Sequence, residues 1–204
     1  MINPSSLWPK RLSAALLGAA LCTSHAHSWV LNVTPGPRAV YLAVGNATAN
    51  GTNATVNVIS VNVPTNAVGS GVAQTMQSSS TQAASPFDNY TVCAPASGQV
   101  YIGGFFRLPA ASAVTAVLQV TTPFGLTSGA NTIPFNQISW SSTALGNATA
   151  DIPAGTFPSG GTLVLRNFAA NSYVENCHTF LYANTVSAPA GQYTGIATYT
   201  LTAP

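Results

Sequence analysis

Short runs in which apolar and polar residues alternate recur along the chain, and no stretch of ten or more residues sustains a helical period. In VTAVLQVT (114–121), Val114, Ala116, Leu118 and Val120 fall on one face of an extended segment. In ATVNVISVNV (54–63) the phase slips, because Val56 and Val58 give way to Ile59, Val61 and Val63; a bulge or burial of both faces accounts for such a slip. Further strands are predicted at AVYLAV (39–44), YTVC (90–93), QVYIGGFF (99–106), NQISW (136–140), TLVLRNF (162–168) and HTFLYAN (178–184). The chain ends on another alternating run: Tyr193, Gly195, Ala197, Tyr199 and Leu201 share one face, and Thr194, Ile196, Thr198, Thr200 and Thr202 share the other. The first set, glycine apart, is expected to pack inward, and the threonines to face solvent or a neighbouring sheet. Clusters of Gly, Pro, Ser and Asn separate the runs, and 68–85 reads as a long loop with one weak strand at 72–76. The pattern predicts an all-β protein, an antiparallel β-sandwich of immunoglobulin-like or related type with about nine to ten strands.

The beginning of the chain breaks this pattern. Lys10 and Arg11 precede an apolar run from Leu12 to Leu21, and Ser24, His25 and Ala26 approximate the small-residue end of a cleavable secretory signal. The run is short of the roughly 20 residues that span a bilayer. Residues 1–26 are therefore expected to be removed on export through the Sec pathway, leaving 27–204 as a single sandwich domain without a membrane span and a secreted, extracellular or cell-surface protein.

Removal of that signal also changes the charge. Arg38, Arg107 and Arg166 then balance Asp88, Asp151 and Glu175, so the formal +2 of the full sequence does not point to nucleic acid or another electrostatic partner. With so little self-repulsion, the composition favours a chain that assembles or is embedded in a matrix. Cys93 and Cys177 would remain as an even pair. In an exported protein the simplest reading is one disulfide, closing a loop of roughly 80 residues and stabilising the fold by on the order of 4 kcal/mol; the alternative is two buried free thiols.

Candidate chemistry is sparse. General acid–base catalysis has only Asp88, Asp151, Glu175, His27 and His178 to draw on, and a paired-carboxylate site needs two of the three acids to meet. No serine lies in a G-x-S-x-G elbow, so no catalytic residue is assigned and no enzymatic activity is expected. If cleavage follows Ala26, the free amine and imidazole of His27 can chelate copper with His178 as a third nitrogen ligand. The contexts HSWV and CHTF resemble the histidine brace of lytic polysaccharide monooxygenases and related copper-binding proteins. A glycan-binding module is a third reading, through Trp29, Trp140, Tyr90 or Tyr101. The N-x-T matches at Asn32, Asn46, Asn50, Asn53, Asn89 and Asn147 read as polar strand and loop residues of a chain rich in Asn and Thr.

The terminal segment PAGQYTGIATYTLTAP (189–204) resembles the end of the spore coat protein U group, which includes subunits of archaic chaperone-usher pili. The resemblance implies an immunoglobulin-like sandwich lacking one strand, with the groove filled first by a periplasmic chaperone and later by the N-terminal segment of the next subunit. Trp29, Leu31 and Val33 alternate with Ser28, Val30 and Asn32, and would form the donated strand, with Pro35 and Pro37 ending it as a stiff hinge. The other reading of this segment is the first edge strand of a complete domain. The expectation for function is thus a surface structural or adhesive subunit, fimbria-like and self-assembling.

Overall fold

The computed structural model describes residues 32–46, 57–110, 113–143 and 149–204. The expected signal, His27, Trp29, Leu31 and the first part of ATVNVISVNV lie outside the described residues. Thirteen strands are present among the described residues: β1 (Ala39–Val44), β2 (Ile59–Ser60), β3 (Gln74–Thr75), β4 (Gln77–Ser78), β5 (Val100–Arg107), β6 (Thr115–Thr122), β7 (Gly125–Ser128), β8 (Asn131–Pro134), β9 (Ile138–Thr143), β10 (Gly155–Thr156), β11 (Gly161–Ala169), β12 (Ser172–Tyr182) and β13 (Thr198–Thr202). The excess over the expected number comes from two-residue pairings and the β7–β8 hairpin.

Two antiparallel sheets face each other. The larger has the order β1-β5-β12-β9-β10, with β3 also on β12, and the smaller has the order β11-β6-β13. Between them lies a core to which β5 contributes Val100, Ile102 and Phe106, β6 contributes Ala116, Leu118 and Val120, and β12 contributes Val174, Phe180 and Tyr182. The two-residue period seen in VTAVLQVT is thus the inward face of β6. Ile59, Val61 and Val63 pack against the same core while Val58 is exposed, so the second phase of ATVNVISVNV is the inward one.

A second, smaller cluster lies on the outer face of the larger sheet. It holds Val33, Tyr41, Ala43, Cys93, Tyr101, Tyr173 and Cys177. β5 serves both sides because of its adjacent glycines. A Cβ on Gly103 would collide with the Tyr101 hydroxyl, and one on Gly104 would lie 2.6 Å from the Tyr41 carbonyl oxygen and 3.2 Å from Leu201 Cδ2. The glycines of YIGGFF therefore let the Tyr101 side chain fold along its own strand outside and Leu201 approach the backbone inside.

Several expected elements are corrected. YTVC is a loop with one bridge, Thr91 to Ala84, because its apolar residues are held by the Cys93 crosslink rather than by a neighbouring strand. The segment before Ile138 is a turn of 3-10 helix, Phe135–Gln137. The strand expected to begin at His178 starts six residues earlier, at Ser172, and ends at Tyr182 before Asn184, which adopts a left-handed conformation with φ 56°. In the terminal run, β13 begins only at Thr198, and Thr194 makes an isolated bridge to Thr127. The facing is as expected: Tyr193, Ala197, Tyr199 and Leu201 pack on the core, and Thr198, Thr200 and Thr202 are exposed.

Cys93 and Cys177 form a disulfide spanning 84 positions, with Cα atoms 5.5 Å apart. It ties the long loop before β5 onto β12, and it fits an oxidising, extracellular setting. Among the described residues no helix is long and apolar enough to cross a membrane. Replacing both cysteines by alanine should lower unfolding free energy by roughly 4 to 5 kcal/mol, as expected for a loop of this length. Urea unfolding of the oxidised protein and the double variant measures this, and coincident transitions would contradict it.

Candidate functional site

β1 and β13 are the edge strands on one flank of the sandwich. Within the described sheets β13 pairs only with β6, from Thr198 opposite Thr121 to Thr202 opposite Val117. β1 pairs only with β5, from Ala39 opposite Arg107 to Val44 opposite Ile102. The two strands approach within 8 Å, Cα to Cα, without forming a ladder. At one end Arg38 Nη2 donates to the Ala203 carbonyl at 3.1 Å. Further along, Leu201 and the Leu42 backbone both lie over Gly104. These two neighbour pairs place β1 and β13 antiparallel across the gap.

The inward side chains along this flank are less covered than those of the sandwich centre. Leu42, Val44, Tyr199 and Leu201 are half-buried, whereas Leu118 and Val120 of the adjacent β6 are fully buried. Tyr199 is half-buried as a residue, yet its phenol is desolvated and its pKa pushed above the usual value. The flank therefore offers two backbone edges and a partly open apolar seam between them.

The outer face of the larger sheet carries a buried polar group. Tyr101 donates to Glu175 Oε2 at 2.6 Å and lies 2.5 Å, hydroxyl to hydroxyl, from Tyr173. Gly103 stands opposite Glu175, so the folded-over Tyr101 ring meets the carboxylate across the ladder. Burial pushes the Glu175 carboxyl up, hydrogen bonds from Tyr101 and Ser85 oppose that shift, and the charges of Asp88 and Asp151 add to it. Asp88 and Asp151 are thus near enough for their charges to act on Glu175. Each of the three acids makes a local contact: Asp88 Oδ1 accepts from Tyr90 N at 2.9 Å, Asp151 accepts the Glu175 backbone N–H, and the buried Glu175 accepts from Tyr101. Burial also raises Asp151, opposed by Arg166 nearby. Neither composition nor spacing in FDNY, ADIP and VENC signalled that the charges of Asp88 and Asp151 act on Glu175, which follows from pairing between distant segments.

His178 lies on the opposite face of β12. It is 0% exposed, stacks on Trp140 with ring centroids 5.8 Å apart, and meets Phe180 edge-on. Neither ring nitrogen has a hydrogen-bond partner. His27 lies outside the described residues, so the copper arrangement is seen from one end only, and that end is an imidazole enclosed by the core. Among the described residues no group of three or more His, Cys, Asp or Glu side chains is disposed to hold a metal. The aromatic residues considered for glycan binding also diverge: Trp140 and Tyr101 are buried, Trp140 with its indole N–H donating to the Pro153 carbonyl, whereas Tyr90 is exposed. Of the alternating N-terminal residues, Val33 is described. It is 4% exposed, its N–H donates to the Asn171 carbonyl at 3.0 Å, and Asn32 bridges to Ser172.

No protein-family model matches the chain, and neither a curated protein nor a solved structure matches it significantly.

Desolvation lowers the His178 pKa to about 3, so the folded state holds the ring neutral where an unfolded chain, with a pKa near 6.5, would protonate it. Stability from this residue is present above the unfolded pKa and falls with pH between about 6.5 and about 3, at roughly 1.4 kcal/mol per pH unit. Glu175 and Asp151, raised by burial, act in the opposite sense, since their folded forms hold protons more tightly. The difference in unfolding free energy between the wild type and His178→Phe should therefore grow in favour of the variant as pH drops from 7 to 4. Urea titrations across that range measure it, and parallel pH dependences would contradict it.

Proposed function

We propose that the chain is a secreted cell-surface structural or adhesive subunit that assembles, in a fimbria-like manner, by accepting a strand from a neighbour along the flank between β1 and β13. The observation that carries this reading is the pair of edge strands with a half-covered apolar seam between them. Exposed edges in soluble proteins are ordinarily blunted by charge or proline. β13 reads TYTLT, with neither, and in β1 (AVYLAV) the nearest charge is Arg38, one residue before the strand. Because β1 and β13 run antiparallel to each other, an inserted strand is antiparallel to one and parallel to the other. Neighbouring strands lie about 4.8 Å apart, so an intervening strand needs roughly 9.6 Å between its flanks. The present approach within 8 Å means that β1 and β13 must part slightly to admit one.

The N-terminal segment of a second copy supplies the strand. It carries no charged side chain from Ser28 to Val33, which suits an uncharged seam. Val33 is packed into its own domain, so Trp29 and Leu31 are the apolar pair available to a neighbour, with Val33 as the anchor that holds the donor to its own sandwich. A periplasmic chaperone would occupy the same seam before assembly. No residue is assigned a catalytic role or a cofactor.

Protein purified from a secreting host should assemble in a concentration-dependent way, and deletion of residues 27–31 should give a folded monomer. Leu201→Lys should reduce uptake of a synthetic peptide of residues 27–33 at least tenfold. Light scattering, electron microscopy and peptide titration read these outcomes. A full-length protein that stays monomeric at high concentration and binds no such peptide would overturn the reading.

A further inference from the structure

The outer face of the larger sheet bears a cleft that the assembly reading does not use. It is lined by Tyr41, Phe105, Pro86 and Phe87, has a volume of about 140 Å³ and opens to solvent. Its floor comes from the sheet: Tyr41 and Phe105 are cross-strand partners whose rings stack with centroids 5.4 Å apart. Its rim comes from the loop that the disulfide draws toward β12, where Phe87 stacks on Tyr173 at 4.5 Å and meets Phe105 edge-on. Phe87 nevertheless remains 40% exposed. Tyr41 is 8% exposed, and its hydroxyl, a buried donor and acceptor, has no hydrogen-bond partner.

We infer that this cleft binds a single neutral saccharide ring. Three observations select that ligand class. A space of this size suits one six-membered ring, since engineered cavities of about 150 Å³ take up benzene. Among the described residues no charged side chain lines the cleft, which favours an uncharged ligand. The site combines aromatic rings, one of them at the solvent boundary, with a lining residue, Tyr41, whose buried hydroxyl is unpartnered. A pyranose matches this combination because it has one apolar C–H face to lay on aromatic rings and a rim of hydroxyls to satisfy Tyr41 and water. A purely aromatic ring leaves the hydroxyl unpaired. The site is independent of the assembly flank, because Tyr41 points out of the face of β1 opposite to Leu42 and Val44.

The test is saturation-transfer NMR of the full chain with the methyl glycosides of glucose, galactose and mannose at millimolar concentration, together with a printed glycan array. At least one sugar should bind with a dissociation constant near the millimolar range. Phe87→Ala should weaken it at least tenfold and Tyr41→Phe several-fold, while the remote surface substitution Phe124→Ala leaves it unchanged. Tyr41→Phe removes only a hydroxyl, so it remains informative if Phe87→Ala disturbs the loop. Absence of binding to every sugar, binding that survives both cleft substitutions, or uptake of phenol or a proline-rich peptide in place of sugar would overturn the inference. The described lining residues lie outside 27–31, so sugar binding is measured on the 27–31 deletion as well as on the full chain, and the assembly and saccharide readings fail separately.

Discussion

β12 is covered on both faces and flanked on both edges, and much of the remaining chain is arranged around that burial. Its inner face places Val174, His178, Phe180 and Tyr182 in the sandwich core, and its outer face places Tyr173, Glu175 and Cys177 under the loop tied down by Cys93. One edge is paired by β5 and β3, the other by β9 and the bridge from Asn32. A strand so enclosed can carry polar residues only if each finds a partner. Asn176 does so by accepting from Ile152 N and donating to the Thr143 carbonyl, both at 2.6 Å, and Glu175 does so through Tyr101. His178 is the exception, and it is accommodated as a neutral aromatic ring.

This enclosure contrasts with the flank formed by β1 and β13. There the pairing stops after one neighbour on each strand, and the inward side chains are only half covered. The contrast is physical rather than positional, since the same alternating pattern produces both strands. In β13 the outer threonines form a polar face and the inner Tyr199 and Leu201 reach the core, so its side chains are accommodated while its far backbone edge has no ladder partner among the described residues. In a protein with 4% charged residues, little electrostatic repulsion opposes addition of another strand at that edge.

The strands with clean alternation were legible in the sequence: β1 coincides with AVYLAV, and β5, β6 and β11 lie within a residue of their expected limits. The disulfide and the facing of the terminal strand were legible too. The first half of β12 was not, because SYVENC holds Glu175 and Asn176 at positions that read as solvent-facing until their buried partners are known. The β7–β8 hairpin was missed because GLTS and NTIP carry few apolar residues; its one local signal was Gly129, at φ 58° in the turn between them. YTVC failed in the opposite sense, with a strand-like composition serving a crosslinked loop. The aromatic cleft and the buried Tyr101–Glu175–Tyr173 group arise where residues far apart in sequence meet across ladders, and period-two patterns hold no information about which strands pair. The positions of β1 and β13 at sheet edges were not legible, since alternation cannot distinguish an edge strand from a central one.

The most direct test of the proposed assembly is amide hydrogen exchange at β1 and β13 at concentrations below and above those at which the protein is proposed to assemble. The account predicts that the amides of Thr198–Thr202 that do not point toward β6, and those of β1 that do not point toward β5, exchange rapidly in the monomer and become protected on assembly, while β12 is protected in both. Strong protection of those edge amides already in the monomer, or no gain on assembly, would contradict it.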